Sequence, residues 1–197
     1  MRAAPWSCPR GPEGGGQAGP ARYAARPMYN VLFSQMKKQL GQLEKWLATA
    51  ETFAQERKID ASVFPSFRLA PDQFPLSRQI QATCDTAKLA ASRLTGKEAP
   101  ANADTEQTLA ELRARVTSTV AYLETLTEKD FAEADTRKIT QPRWEGKWMT
   151  GADYFVEHAQ PNFFFHLSHS YAILRHNGVP IGKRDYLGVM SQRPPES

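Results

Sequence analysis

From Tyr29 onward, apolar residues recur mostly at three- and four-residue steps, the period of helices that each bury one face. Leu32, Met36, Leu40, Leu43, Leu47, Ala50 and Ala54 predict a first helix over about Tyr29–Arg57. Lys37, Lys38, Gln42 and Lys45 take its other sides, and Gly41 inside it costs about 1 kcal/mol. Pro65, Pro71 and Pro75 then interrupt any regular element. The apolar Val63, Phe64, Phe67, Leu69 and Phe74 make this a loop packed on the end of a bundle, not a loose linker.

A second helix is predicted over 76–94, with Ile80, Cys84, Ala87, Ala91 and Leu94 as its apolar stripe and Gly96 as its stop. Arg78, Gln81, Asp85, Lys88 and Ser92 form a polar stripe beside it. That stripe has two readings: a solvated face with weak ion pairs, or a face of which part points into a cleft. A third helix is expected over 104–126, capped by Asp104 with Gln107 as its capping-box partner. Leu109, Leu112, Val116, Val120, Leu123 and Leu126 face the core. The helical period breaks over 127–149. Lys138-Ile139-Thr140 and Lys147-Trp148-Met149 read as short strands joined at Glu145-Gly146. Trp144 and Trp148 either cap the bundle end or form an aromatic wall at a pocket mouth.

The stretch 150–178 carries all four histidines: His158, His166, His169 and His176. Thr150 suits an N-cap and Asp153 the first turn. Pro161 removes a backbone donor and predicts a kink or restart. Gly178 and Pro180 end the element. At about 100° per residue, His158, Asn162, His166, His169 and His176 fall in an arc of roughly 80° that borders the apolar side. The chemistry this suggests is a metal or acid–base site, with His166 and His169 the better pair. The alternative is a set of half-buried histidines satisfied by local hydrogen bonds, because a metal wants at least three protein ligands. After the helix, Lys183, Arg184, Asp185 and Tyr186 read as a docked tail or an anion clamp.

Composition narrows the classes. With 197 residues the chain fits one domain plus tails. Residues 1–27, rich in Gly, Pro, Ala and Arg, are expected to form a disordered extension, with Met28 the expected true start. The domain is expected over 28–190, and 191–197 as a flexible tail. Twenty-five Lys and Arg against 21 Asp and Glu leave a net charge of +4 without a basic stripe, which argues against nucleic acid. No apolar run reaches the ~20 residues of a membrane span, and the N-terminus lacks the apolar region of a signal peptide. Two cysteines, Cys8 and Cys84, and no Cys-x-x-Cys pattern fit a reducing cytoplasm.

The segments PNFFFHLSHSYAILRHNGVPIGKRDYLG, RQIQATCDTAKLAASRLTG and RWEGKWMTGADYFVEHAQPNFFFH resemble an uncharacterised bacterial family of unknown function. That family is allied to the DinB/YfiT-like four-helix bundles, and the resemblance covers 28–188. It implies an all-α, DinB-like four-helix bundle, antiparallel and of unusual order, here with a small hairpin before the last helix. It implies a divalent metal held by three histidines, one on the second helix and two on the fourth at i,i+4, and a thiol-dependent transferase or isomerase activity. Carried over, His166 matches one metal ligand. Asn162 stands where the second belongs, and Ala82 or Thr83 where the third does. A rearranged set would draw on Asp85, His166 and either His158 or His169.

Two functions follow as expectations. In the first, an enzyme binds a small molecule between the second and fourth helices. His166 is ligand or general base, Asp85 orients it, and Arg78, Asn162 and Trp148 contact substrate. In the second, the metal site has decayed and the bundle is a binding or dimerising module.

Overall fold

A computed structural model describes residues 29–193. The expected extension 1–27, the start at Met28 and the end of the expected tail lie outside the described residues. Four long elements build the domain. Helices α1 (Tyr29–Arg57), α2 (Leu76–Thr95) and α3 (Leu109–Glu124) come first. The fourth is a continuous rod made of α4 (Gly151–Tyr154), a π-helical turn (Phe155–Ala159) and α5 (Gln160–His176). Strands β1 (Lys138–Thr140) and β2 (Trp148–Thr150) pair antiparallel just before it, with Ile139 opposite Met149. A short α6 (Lys183–Leu187) closes the chain. The fold is therefore the all-α bundle with a small hairpin that the sequence predicts.

The core is the set of apolar stripes read from the period. Met36, Leu40, Leu43, Leu47, Ile80, Cys84, Ala87, Leu94, Leu112, Phe163 and Leu174 are all fully buried. Buried Phe64 and half-buried Phe67 fasten the α1–α2 connection to the bundle end. The two rings sit 5.1 Å apart. At the other end of the chain, Tyr186 of α6 stacks on Trp46, 5.5 Å between centroids. Trp46 Nε1 donates to the Asp185 carbonyl at 3.1 Å. The tail is thus docked on α1, and the buried indole of Trp46 finds a polar partner.

The helix directions correct one expectation. Arg93 near one end of α2 reaches Tyr154, while Gln79 near the other reaches His166, so α2 and the fourth rod run antiparallel. Arg113 reaches Glu44 and Glu51, while Glu124 shares a hollow with Gly41, so α1 and α3 are antiparallel too. But Asp85 meets Arg115, while Ser92 lies beside Tyr122 further on, which makes α2 and α3 parallel neighbours. Tyr29 meets Phe155 and Trp46 meets Tyr171, so α1 and α5 are parallel as well. The order is up-down-down-up, not fully antiparallel.

Parallel neighbours need a connection that returns along the bundle. A 20-residue helix is about 30 Å long, and the 13 residues of 96–108 reach at most about 45 Å when extended. The segment is therefore a strap laid back along α2. It covers the polar stripe, so the solvated-face reading fails: Gln81 and Lys88 are buried. Asp104, expected to cap α3, instead binds Arg78 at 2.6 Å and Arg115 at 2.8 Å. The cap is Thr108, in a capping box with Glu111, and α3 starts four residues later than the sequence suggests.

The fourth rod opens on Thr150, whose hydroxyl accepts from Asp153 N–H at 3.2 Å. Pro161 does not break it. The chain widens into the π turn just upstream, where Gln160 N–H bonds the Phe155 carbonyl. α5 then starts with Pro161 in its first turn, where a missing N–H costs least. Such single π turns often sit at functional sites.

Candidate functional site

Two rows of side chains face each other across the α2–rod seam. Arg78, Ala82, Asp85, Thr86, Leu89 and Arg93 line it from α2, and Tyr154, His158, Asn162 and His166 from the rod. Phe74 closes one end, and Gln141 and Arg143 from the hairpin region close the other. The cleft has a volume of about 330 Å³, within the range of small-molecule pockets. The rod contributes strictly at four-residue steps, which aligns one helix row.

At the Phe74 end, His166 Nδ1 lies 2.8 Å from Gln79 Oε1. Gln79 Nε2 points to the Phe74 carbonyl at 3.4 Å, so its oxygen faces the imidazole and His166 Nδ1 is the donor. That fixes the tautomer and leaves Nε2 as the acceptor nitrogen. The Phe74 ring stacks beside the imidazole at 6.3 Å. Burial, then the neighbouring His169 and Arg78, push His166 down to about 4. The ring is neutral at physiological pH.

In the middle, Asn162 Nδ2 donates to Thr86 Oγ1 at 2.7 Å, and Thr86 donates to the Ala82 carbonyl. At the far end, Arg93 Nη1 donates to the Tyr154 hydroxyl at 2.9 Å. Arg143 Nη2 donates to His158 Nε2. His158 stacks on Tyr154 at 5.4 Å and meets Trp144 edge-on. Burial and the charges of Arg143 and Arg93 lower its proton affinity too.

Asp85, Arg78, Asn162 and His166 thus share one cleft. Trp148 does not join them: it is exposed, with the Lys138 ammonium 5.2 Å from its ring. Asp85 is not the partner of His166. Its Oδ1 receives Arg115 at 2.9 Å and Lys88 at 3.1 Å; Gln79 orients the histidine instead. His169 Nδ1 is taken by the Phe165 carbonyl, and His176 is exposed. The predicted histidine arc therefore splits, with His158, Asn162 and His166 in the cleft and the other two outside it. Sequence reasoning passed over Gln79, Arg93, Gln141, Arg143 and Tyr154. Arg93 and Tyr154 were within reach, each lying on the four-residue row of a residue already singled out.

The donor set does not fit the metal that the resemblance implies. Asn162 turns its amide N–H₂ to Thr86, Ala82 has no donor, and the buried Thr83 hydroxyl bonds the Gln79 carbonyl. Among the described residues, no group of three or more His, Cys, Asp or Glu is placed to hold a metal ion. Arg78, Arg93 and Arg143 in the lining further repel a divalent cation. Cys84 does not suit the thiol chemistry that the resemblance implies either. It is buried, and burial pushes it up to about 12.

An up-down-down-up bundle with a hairpin before its last rod, and a cleft between its second and last long helices, is a DinB-like architecture. The chain belongs to the family described as "Domain of unknown function (DUF1993)", whose model matches residues 28–187. A crystal structure at 1.83 Å of a DinB family member protein from Shewanella denitrificans is similar to it. The two share 48% identity with a TM-score of 0.81, and the match covers 86% of this chain and 100% of that one. No curated protein matches the chain. No helix among the described residues is long and apolar enough to cross a membrane.

Proposed function

We propose that the cleft binds a small organic molecule, and that His166 accepts a hydrogen bond from its reacting hydroxyl, amine or thiol in a transferase-type reaction. The observation that carries this reading is the Gln79–His166 pair. A glutamine that spends its oxygen on Nδ1 holds Nε2 as a lone-pair acceptor in a ring that lines the cleft. Arg78 and His169 bear on this ring electrostatically. The carboxylate in the lining, Asp85, is already held by Arg115 and Lys88. A ring so placed stays unprotonated and orients a donor before it takes a proton. The second substrate supplies any thiol, since Cys84 is out of reach.

The expected result is an NMR titration of the His166 ring nitrogens showing the Nδ1–H tautomer, neutral down to about pH 4. In an unfolded chain histidine protonates near pH 6.5. Between about 6.5 and 4 the unfolded state therefore binds more protons, and stability falls as pH drops through that window. A small-fragment screen by the same method should shift His166, Asn162 and Thr86 together. Protonation of His166 near 6.5, or fragments that never perturb this trio, would sink the proposal.

A further inference from the structure

We infer that the Tyr154 end of the cleft receives the anionic group of the ligand, a carboxylate or a phosphate carried on a small organic body. The inference rests on the cleft being the ligand site and names the chemistry that the site selects. The donors at this end outnumber the acceptors. Arg93 spends one N–H on Tyr154 and Arg143 one on His158. Neither forms an ion pair among the described residues, where every pair found involves other cations. Each guanidinium has five N–H donors and no acceptor.

Because Arg143 can only donate, His158 accepts at Nε2, and in its neutral form the proton sits on Nδ1. That nitrogen is buried and meets no acceptor. Gln141 repeats the pattern independently. It lines the cleft, is 7% exposed, and its Nε2 also lacks an acceptor. Buried N–H groups without acceptors are rare in folded proteins, because each forfeits its hydration. Two of them beside two guanidiniums that lack carboxylates make a set of donors in search of oxygen. The field agrees, since the same two arginines depress the proton affinity of His158. Asp85 cannot neutralise this end, being bound to Arg115 and Lys88. A carboxylate or phosphate matches the planar forks of arginine and has lone pairs enough for the amide as well.

The test is calorimetry and amide-shift mapping on the full chain with three probes of one body: benzoate, phenyl phosphate and the neutral benzyl alcohol. At least one anion is expected to bind about tenfold or more tightly than the alcohol, with shifts at Gln141, Tyr154 and His158. The tighter of the two anions says which group the end prefers. Arg143→Gln, an exposed change that leaves the fold intact, should bring that anion to within about threefold of the alcohol. Gln141→Leu should weaken it severalfold with unchanged circular dichroism. If the alcohol binds in the cleft as tightly as both anions, or if Arg143→Gln leaves anion binding unchanged, the inference is overturned and the ligand cleft stands. If no probe shifts cleft residues, both readings fall.

Discussion

Replacing Arg115 with Met lowers the unfolding free energy by about 3 kcal/mol, read from urea midpoints at unchanged m-value. The Arg115 side chain is 2% exposed and binds Asp85, Asp104 and Glu106 at 2.8–2.9 Å. Methionine of similar length fills the space but leaves three carboxylates facing one another. Removing one member of a buried ionic set costs about 3–5 kcal/mol. The acids here are a sixth to a third exposed, so water relieves part of the loss and the lower figure applies. A second readout separates charge from packing. Burial opposes the ionisation of Asp104 and Glu106, and the hydrogen bonds from Arg115 and, on Asp104, from Arg78 outweigh it, so both carboxyls lie below their ordinary range. In the variant both should titrate higher. A midpoint within 1 kcal/mol of the parent, or carboxyls that do not move, would show that the strap is held by other contacts.

Gly151→Ala is the other large effect expected. A Cβ at this position would lie 1.8 Å from the Ala134 carbonyl oxygen and 2.9 Å from Leu94 Cδ2. A backbone oxygen cannot swing aside as a side chain does. The neighbouring Asp135 carbonyl is itself tied to Ala152 N–H at 3.2 Å. Overpacking of this kind costs about 1–3 kcal/mol and occasionally more; contact with backbone puts this case at the upper end. The rod must shift at its first turn, so amide signals around Tyr154 and His158 should move as well. Gly41→Ala is the matched control. Its Cβ would meet nothing within 4 Å, and in a helix interior the change should stabilise by about 0.5–1 kcal/mol. Equal melting temperatures for the two variants would refute the clash.

The helices and hairpin were legible because their signals are local. The three- and four-residue steps of α1 and α2, the Gly96 stop and the Thr150 cap each need only a few neighbouring residues to act. α3 shows where local signals tie. Asp104 with Gln107 and Thr108 with Glu111 are both plausible caps. What decides between them is the pair of arginines that hold Asp104, Arg78 on α2 and Arg115 further along α3. The polar stripe of α2 failed for a related reason. Periodicity says which residues share a face, and only the strap, which reads as a linker, says what covers that face.

The cleft was half legible on the same grounds. Asp85, Asn162 and His166 follow from helix rows. Gln79 follows from nothing local, since its role exists only because α2 and the rod run in opposite directions. Gln141 and Arg143 enter the cleft through the hairpin's placement, which also carries Trp148 away to the surface. That Asn162 stands where the resemblance places a histidine was readable at once; that its amide turns to Thr86 emerges only from the packing of α2 against the rod.

Cys84 offers a clock. Its thiol lies wholly inside the seam between α2 and α3, so no reagent in water can reach it while the two helices stay together. Once Cys8 is replaced by serine, the rate of alkylation counts the openings of that seam. Loosening the strap then registers as elapsed time before it registers as a change in equilibrium structure.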